Sequence, residues 1–294
     1  MPKVKGGFDL MAYDGIHHQL YLSAQDNHTI EIFDLANSKH LKSISGFAEP
    51  KWIYYHTESN VLYVATGLDG KVTALNASNY KVIKTFAFRE KCNNLRFDPI
   101  THQLFVGVGQ AFGSIGIIDV MRQQITGEIK LAASPKQFEL TPDRIYVNVP
   151  EKALIQVIDR TTSQVIANWP VECNKDNVPM AIDKINHLLY IGCSDGQLLI
   201  YSTSTGKEIS RIRTHKEADG IYLDTTHASV YVSCGEGFID NFSKNGDKLL
   251  PLEQIATRKG AGTSLLIPET NQYILAKPRT ETLPAAIEIF QPVL

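Results

Sequence analysis

The chain has 294 residues and a mass of 32.7 kDa, with 43% hydrophobic and 20% charged residues, a globular composition that excludes a disordered or fibrous chain. Thirty-one acidic against 29 basic residues leave a formal charge of −2, so no bulk field draws it to nucleic acid or anionic lipid. No apolar run exceeds six residues, which excludes a membrane-spanning helix.

Met1 to Gly7 carries no apolar stretch of the signal-peptide kind. With Met1 as the true start the protein would be cytoplasmic. A strand beginning already at Phe8 and running to Tyr13 instead leads us to expect trimmed upstream residues, a signal peptide among them.

From there an apolar-aromatic-apolar motif recurs to the end of the chain. It reads Leu20-Tyr21-Leu22, Leu62-Tyr63-Val64, Leu104-Phe105-Val106, Ile145-Tyr146-Val147, Leu189-Tyr190-Ile191, Val230-Tyr231-Val232 and Tyr273-Ile274-Leu275, at intervals of 41 to 44 residues. The repeats lie near 8–46, 47–88, 89–131, 132–171, 172–214, 215–257 and 258–294. Each carries four strand signals of period two. In the third repeat these are Asn93 to Phe97, Leu104 to Val108, Ser114 to Ile118 and Ile125 to Leu131. Turn chemistry separates them, as at Asp69-Gly70, Asp195-Gly196, Thr205-Gly206 and Asn245-Gly246. No segment has helical periodicity beyond about two turns. The pattern predicts an all-β chain, a single seven-bladed β-propeller with blades of four antiparallel strands. The seventh repeat ends at Leu294 without a fourth strand. We expect that blade to be three-stranded or closed by the amino terminus, where only Pro2 to Lys5 is at hand.

The Leu-Tyr-Val copies, turns such as Asp98-Pro99-Ile100-Thr101-His102 and third strands ending in Asp resemble the bacterial YVTN-repeat β-propeller family, the YncE-like proteins. So do the stretches Phe8-Asp9-Leu10-Met11-Ala12-Tyr13-Asp14 and Arg144-Ile145-Tyr146-Val147-Asn148. The resemblance spans all seven repeats and implies a propeller exported to the periplasm or cell surface. It brings no shared catalytic motif, and a fold does not settle a function.

Alignment of the first strands gives one apolar face, from Met11, Ile53 and Leu95 onward, and one mixed face. If the first strand is innermost, the mixed face lines a central channel. There we place Trp52, Tyr54, Asn94, Arg96, Glu139 and Tyr222 as candidate ligand-binding residues, with Arg96 and Glu139 able to pair across the channel wall. Mixed charges on the rim, among them Lys51, Lys136, Lys216, Glu217 and Lys277, could bind a polar small molecule or a peptide and add His215 and Asp219 as candidates. Five other histidines, His18, His56, His102, His187 and His227, fall in or beside the turn after the first strand. Their repetition points to backbone geometry rather than ligation.

All four cysteines fall on the same rim. For Cys173 and Cys193 we expect a disulfide in an oxidising compartment, with two buried thiols or a thiolate-held metal as alternatives.

The function expected is a non-catalytic binding or scaffold propeller with a small polar molecule or a protein partner at the funnel rim, and no cofactor or metal. The alternative is a lactonase-like hydrolase or lyase with a channel-mouth site. There calcium or zinc would sit with Asn94, Asp219 and Glu139. Arg211, Arg213, Lys216, Arg258 and Lys259 form only modest basic clusters, so nucleic-acid binding ranks below both readings.

Overall fold

The strands that carry the repeated motif are apolar without alternation, because they are covered on both faces. In a computed structural model, which describes residues 1, 3–173 and 176–292, Val61–Thr66, Leu188–Cys193 and Ser229–Cys234 are buried at every position. Each repeat forms its own antiparallel sheet in meander order. The third is typical: Cys92–Asp98, Gln103–Gly109, Gly113–Asp119 and Gln124–Leu131 lie side by side, with Leu104 opposite Phe97 on one flank and Ile118 on the other. Exposure rises outward, and the fourth strands Lys39–Ser45 and Val82–Ala87 are largely solvated. Among the described residues helix is confined to three single turns, Gln25–Asn27, Pro150–Lys152 and Pro268–Thr270, and none is long and apolar enough to cross a membrane. The architecture is a seven-bladed β-propeller.

Contacts gather the chain into two units. One comprises Met1–Pro135 with Arg279–Ala285 and holds the first three sheets; the other, built on Lys136–Pro278 and the strand Ala286–Phe290, holds the remaining four. Within each unit the motif aromatic of one sheet packs against the first and second strands of the next. In the first unit Tyr21 meets Ile53 and Leu62, and Tyr63 meets Leu95 and Leu104. In the second, Tyr146 meets Met180 and Leu189, Tyr190 meets Ile221 and Val230, and Tyr231 meets Leu266 and Tyr273. The apolar face of the first strands is therefore the receiving face.

The turns after the first strands share one construction. The Asp98 carboxylate accepts the Ile100 N–H, and those of Asp14, Asp183 and Asp224 accept two N–H groups each, from Ile16 and His17, Ile185 and Asn186, and Thr226 and His227. The residue four positions on then takes a left-handed conformation: His18 at φ 54°, His102 at 52°, His187 at 55° and Ala228 at 49°. His17 and His227 instead bond the turn carboxylate through Nδ1, at 2.7 Å each. His56 itself occupies the capping position in the second sheet, where it accepts the Ser59 N–H at 3.3 Å. The recurring histidines thus serve turn geometry.

Three details depart from the repeat pattern. The first strand is Met11–Asp14 rather than Phe8 to Tyr13, because Asp9 N–H and Leu10 C=O both bond the single residue Ser23. This bulge recurs: Gln137 and Lys136 share Asn148, and a register shift breaks the pairing between Ala218 and Gly220. In the sixth sheet the outer strand is split into Lys248–Pro251 and Ile255–Ala256, both on Phe238–Asn245. The seventh sheet has three strands among the described residues, Ser264–Ile267, Gln272–Lys277 and Ala286–Phe290. Of the segment expected to close it, Pro2 lies outside the described residues and Lys3 to Lys5 is not strand; the Met1 amine donates to the Ala285 carbonyl at 2.6 Å.

Tyr63, 1% exposed, tests the interlock: Tyr63→Ala should cost about 3–5 kcal/mol in a denaturant titration. A second test is acid. The Thr162 backbone N–H holds the Asp159 carboxyl below the usual carboxylate range, so its stabilising contribution is complete above about pH 4 and is lost as the pH falls through the lowered value. Asp159→Ala should flatten that part of an acid-unfolding curve.

Candidate functional site

In the second unit, the loops of the fifth and sixth sheets line an open pocket of about 830 Å³, within the range of small-molecule sites. One wall is the turn Ser194-Asp195-Gly196 and Gln197 at the start of the strand Gln197–Ser202. Another is the outer strand Glu208–Arg213 and the loop Thr214 to Glu217 that leads into Ala218–Asp224. Glu236, in the turn before Phe238–Asn245, completes it. Gly196 is required here: its φ is +92°, and a Cβ would sit 2.9 Å from the Thr214 carbonyl. Thr214 N–H in turn donates to Gly196 C=O at 3.1 Å, tying the two walls together.

His215 is locked in place. Its backbone N–H donates to Asp240 Oδ2 and its Nδ1 bonds Asp240 Oδ1, both at 2.7 Å, while the ring stacks on Phe238 with centroids 3.7 Å apart. Asp240 is 2% exposed, so its charge depends on these donors. A carboxylate only accepts, so Nδ1 carries a proton toward Asp240. The lock has a structural reason. Asp240 sits opposite Val232 as Glu31 sits opposite Leu22 in the first sheet. There Glu31 is met by His40 and Ser43 from its own fourth strand, at 2.7 and 2.6 Å. In the sixth sheet that strand is interrupted, and the partner comes from the loop ahead of the sheet.

The charges on the cavity wall are unequally engaged. Arg211 is held bidentate by Glu208, at 2.9 Å for each bond, and donates to Gln197 Oε1 at 2.9 Å. Gln197 Nε2 passes the chain on to Asp195 Oδ2 at 2.7 Å. Glu236 accepts the Lys216 backbone N–H at 2.8 Å. Among the described residues the Arg213 guanidinium and Lys216 ammonium make no hydrogen bond or ion pair, and the enclosed Thr214 Oγ1 has no partner.

Cys173 and Cys193 form a disulfide with Cα atoms 5.9 Å apart. It closes a loop of 20 residues, worth about 3 kcal/mol, and fixes the strand end that turns into the cavity wall. Ser194 N–H reinforces it by donating to Asp176 C=O at 2.9 Å. Cys92 and Cys234 are buried free thiols, and burial pushes both thiols well above their ordinary range.

Of the eight candidate ligand residues, His215 lines this cavity and the others do not. In the first unit Arg96 lies over the Trp52 ring at 4.4 Å and donates to Leu95 C=O, Tyr54 stacks on Phe97 with ring centroids 5.2 Å apart, and Asn94 is buried. In the second, Glu139 pairs in register with Tyr146, Asp219 offers its carbonyl to Gln137, and Tyr222 donates to Ser264 C=O. Sequence reasoning passed over Asp195, Gln197, Thr214 and Glu236 as site residues and read Arg211 and Arg213 only as parts of a basic cluster, while Lys216 was placed beside His215 on the rim of mixed charges. Among the described residues no three His, Cys, Asp or Glu side chains gather as metal ligands.

No protein-family model matches the chain, and no curated protein matches it in sequence. Solved structures match in fold. A chain of Kuenenia stuttgartiensis hydrazine synthase superposes with a TM-score of 0.83 at 13% identity, over 99% of this chain and 97% of that one. A chain in a crystal structure of a mitotic checkpoint complex gives 0.80 at 13% identity, over 94% and 86%. Similarity at this level shows the propeller fold alone.

Alkylation in denaturant without reductant should label two cysteines, and four after reduction. Mass spectrometry reads the difference; four labels before reduction would remove the disulfide.

Proposed function

We propose that the protein is a non-catalytic binding propeller, an exported member of the bacterial YVTN-repeat type, whose ligand is a small polar molecule or a peptide segment seated in the cavity of the fifth and sixth sheets. The cavity carries this reading: about 830 Å³ of space lined by Arg213 and Lys216, two exposed side chains that make no hydrogen bond or ion pair among the described residues. Its one histidine is committed through both N–H groups to Asp240, a positioning arrangement that a binding wall needs. The Cys173–Cys193 disulfide supports an oxidising compartment, and hence export. A propeller of the same fold solved within a mitotic checkpoint complex supports a binding role for such a scaffold.

The test fills the cavity from the Glu236 position while leaving the Arg213 and Lys216 side chains in the sequence. Ligands found by thermal shift in a panel of carboxylates, phosphates, amino acids, sugars and dipeptides should lose their effect in Glu236→Trp. A ligand at 100 times its dissociation constant adds about 2.7 kcal/mol of stability, which is easily read. Binding that survives Glu236→Trp in a normally folded variant would place the ligand elsewhere.

A further inference from the structure

We infer that the outer edge of the seventh sheet is a docking site for an extended peptide strand of a partner protein, one that sets a bulky apolar side chain opposite Ile287. This site is separate from the pocket of the fifth and sixth sheets and does not depend on it. In each of the other six sheets, the third-strand residue that pairs with the position after the repeated motif is faced on its outer side by an apolar residue of the fourth strand. Ile30 is faced by Ile44 in this way, Val72 by Phe86 and Leu198 by Ile212. Even the split outer strand of the sixth sheet keeps the pair, with Ile255 opposite Ile239. The six inner residues are at most 1% exposed. Ile287 pairs with Ala276 and holds the same place in the seventh sheet, but among the described residues no fourth strand lies beside it, and it is only half-buried.

The backbone defines what fits there. The Gly70 and Gly237 carbonyls, just ahead of their third strands, accept the Phe88 and Thr257 N–H from the fourth-strand side. Alternation along a strand turns the N–H and C=O of every second residue after them the same way. In the seventh sheet the corresponding carbonyl, that of Ala285, is taken by the Met1 amine, and the outward-facing residues after it are Ile287 and Ile289. Their N–H and C=O groups have no partner among the described residues. Free donors and acceptors at strand spacing are matched by another extended backbone, which supplies affinity, while the side chain opposite Ile287 supplies specificity. The sixth sheet, packed alongside, carries its outer strand one position further out, so this edge is recessed by one strand width of about 4.8 Å. A gap of about 90 Å³ lined by Ile255, Tyr273 and Phe290 is left beside it. A recess one strand deep admits a single strand and hinders the broad edge of a second copy.

The experiment is hydrogen exchange of the full chain, followed by NMR. The probe is a synthetic peptide copying this chain's own fourth strand Glu208–Arg213, whose Ile212 falls opposite Ile287 if it docks as it does in its own sheet. In the free protein the Ile287 and Ile289 amides should exchange at nearly unprotected rates, and excess peptide should slow them by about tenfold or more. A peptide carrying Ile212→Ser should bind roughly tenfold more weakly, the effect of losing one buried branched side chain. In the protein, Ile289→Pro removes one outward N–H at an edge position that tolerates proline, and should abolish protection of Ile287 while circular dichroism shows the fold kept. Slow exchange of both amides in the free monomer would show the chain covering its own edge, and slow exchange in a free dimer, read by sedimentation, would assign the edge to a second copy. Either result overturns the proposal, as does a peptide that leaves both amides unprotected up to its solubility limit.

Discussion

The structure depends on an interlock of side chains between consecutive sheets. A motif strand buried on both faces cannot be satisfied by its own sheet, because one sheet covers only its edges. Within the first unit Tyr21 and Tyr63 close the gap by reaching into the apolar face of the following sheet, and Tyr146, Tyr190 and Tyr231 do the same within the second. These rings are nearly inaccessible, Tyr21 and Tyr190 at 0% exposure. An aromatic side chain brings the largest apolar area to such a contact, which is why an aromatic or its near equivalent recurs at the centre of the motif.

The cavity follows from irregularity laid over that regular frame. The sixth sheet breaks its outer strand between Lys248–Pro251 and Ile255–Ala256, and so cannot answer the buried Asp240 from within. His215 supplies the missing donors, and this pins the loop that follows Arg213. On the other side the Cys173–Cys193 bond and the left-handed Gly196 hold the turn of the fifth sheet. A pocket with two anchored walls is preorganised, so little ordering is left for a ligand to bring about.

The fold was legible because its signal is repeated. Leu104-Phe105-Val106 alone could be any buried strand, but seven copies at 41 to 44 residues leave one architecture. The turn histidines were legible for the same reason, since His18, His102 and His187 recur at one offset and share one φ. The site was not. It is made where the repeat is violated, by a split strand and a loop histidine, and period arguments average such features away. Arg96 shows the other limit: the alternation put it and Trp52 on one mixed face, but that the guanidinium lies over the Trp52 ring is decided by rotamer and packing. The Arg213 and Lys216 charges were visible, but that Arg211 is spent on Glu208 is a fact of side-chain geometry across a strand bulge.

That distinction between charge present and charge unspent also decides what kind of partner the cavity suits. The chain is net acidic by two charges, and Arg211, Arg213 and Lys216 together resemble a basic patch. Once Arg211 is paired with Glu208, two cations remain, beside Asp195 and Glu236. A protein that binds a nucleic-acid backbone tightly neutralises some 6–10 phosphates over an extended surface. Two exposed cations beside two carboxylates offer no such extended positive surface. Local accounting of partners, rather than the formal charge, therefore sets how much positive charge this surface offers.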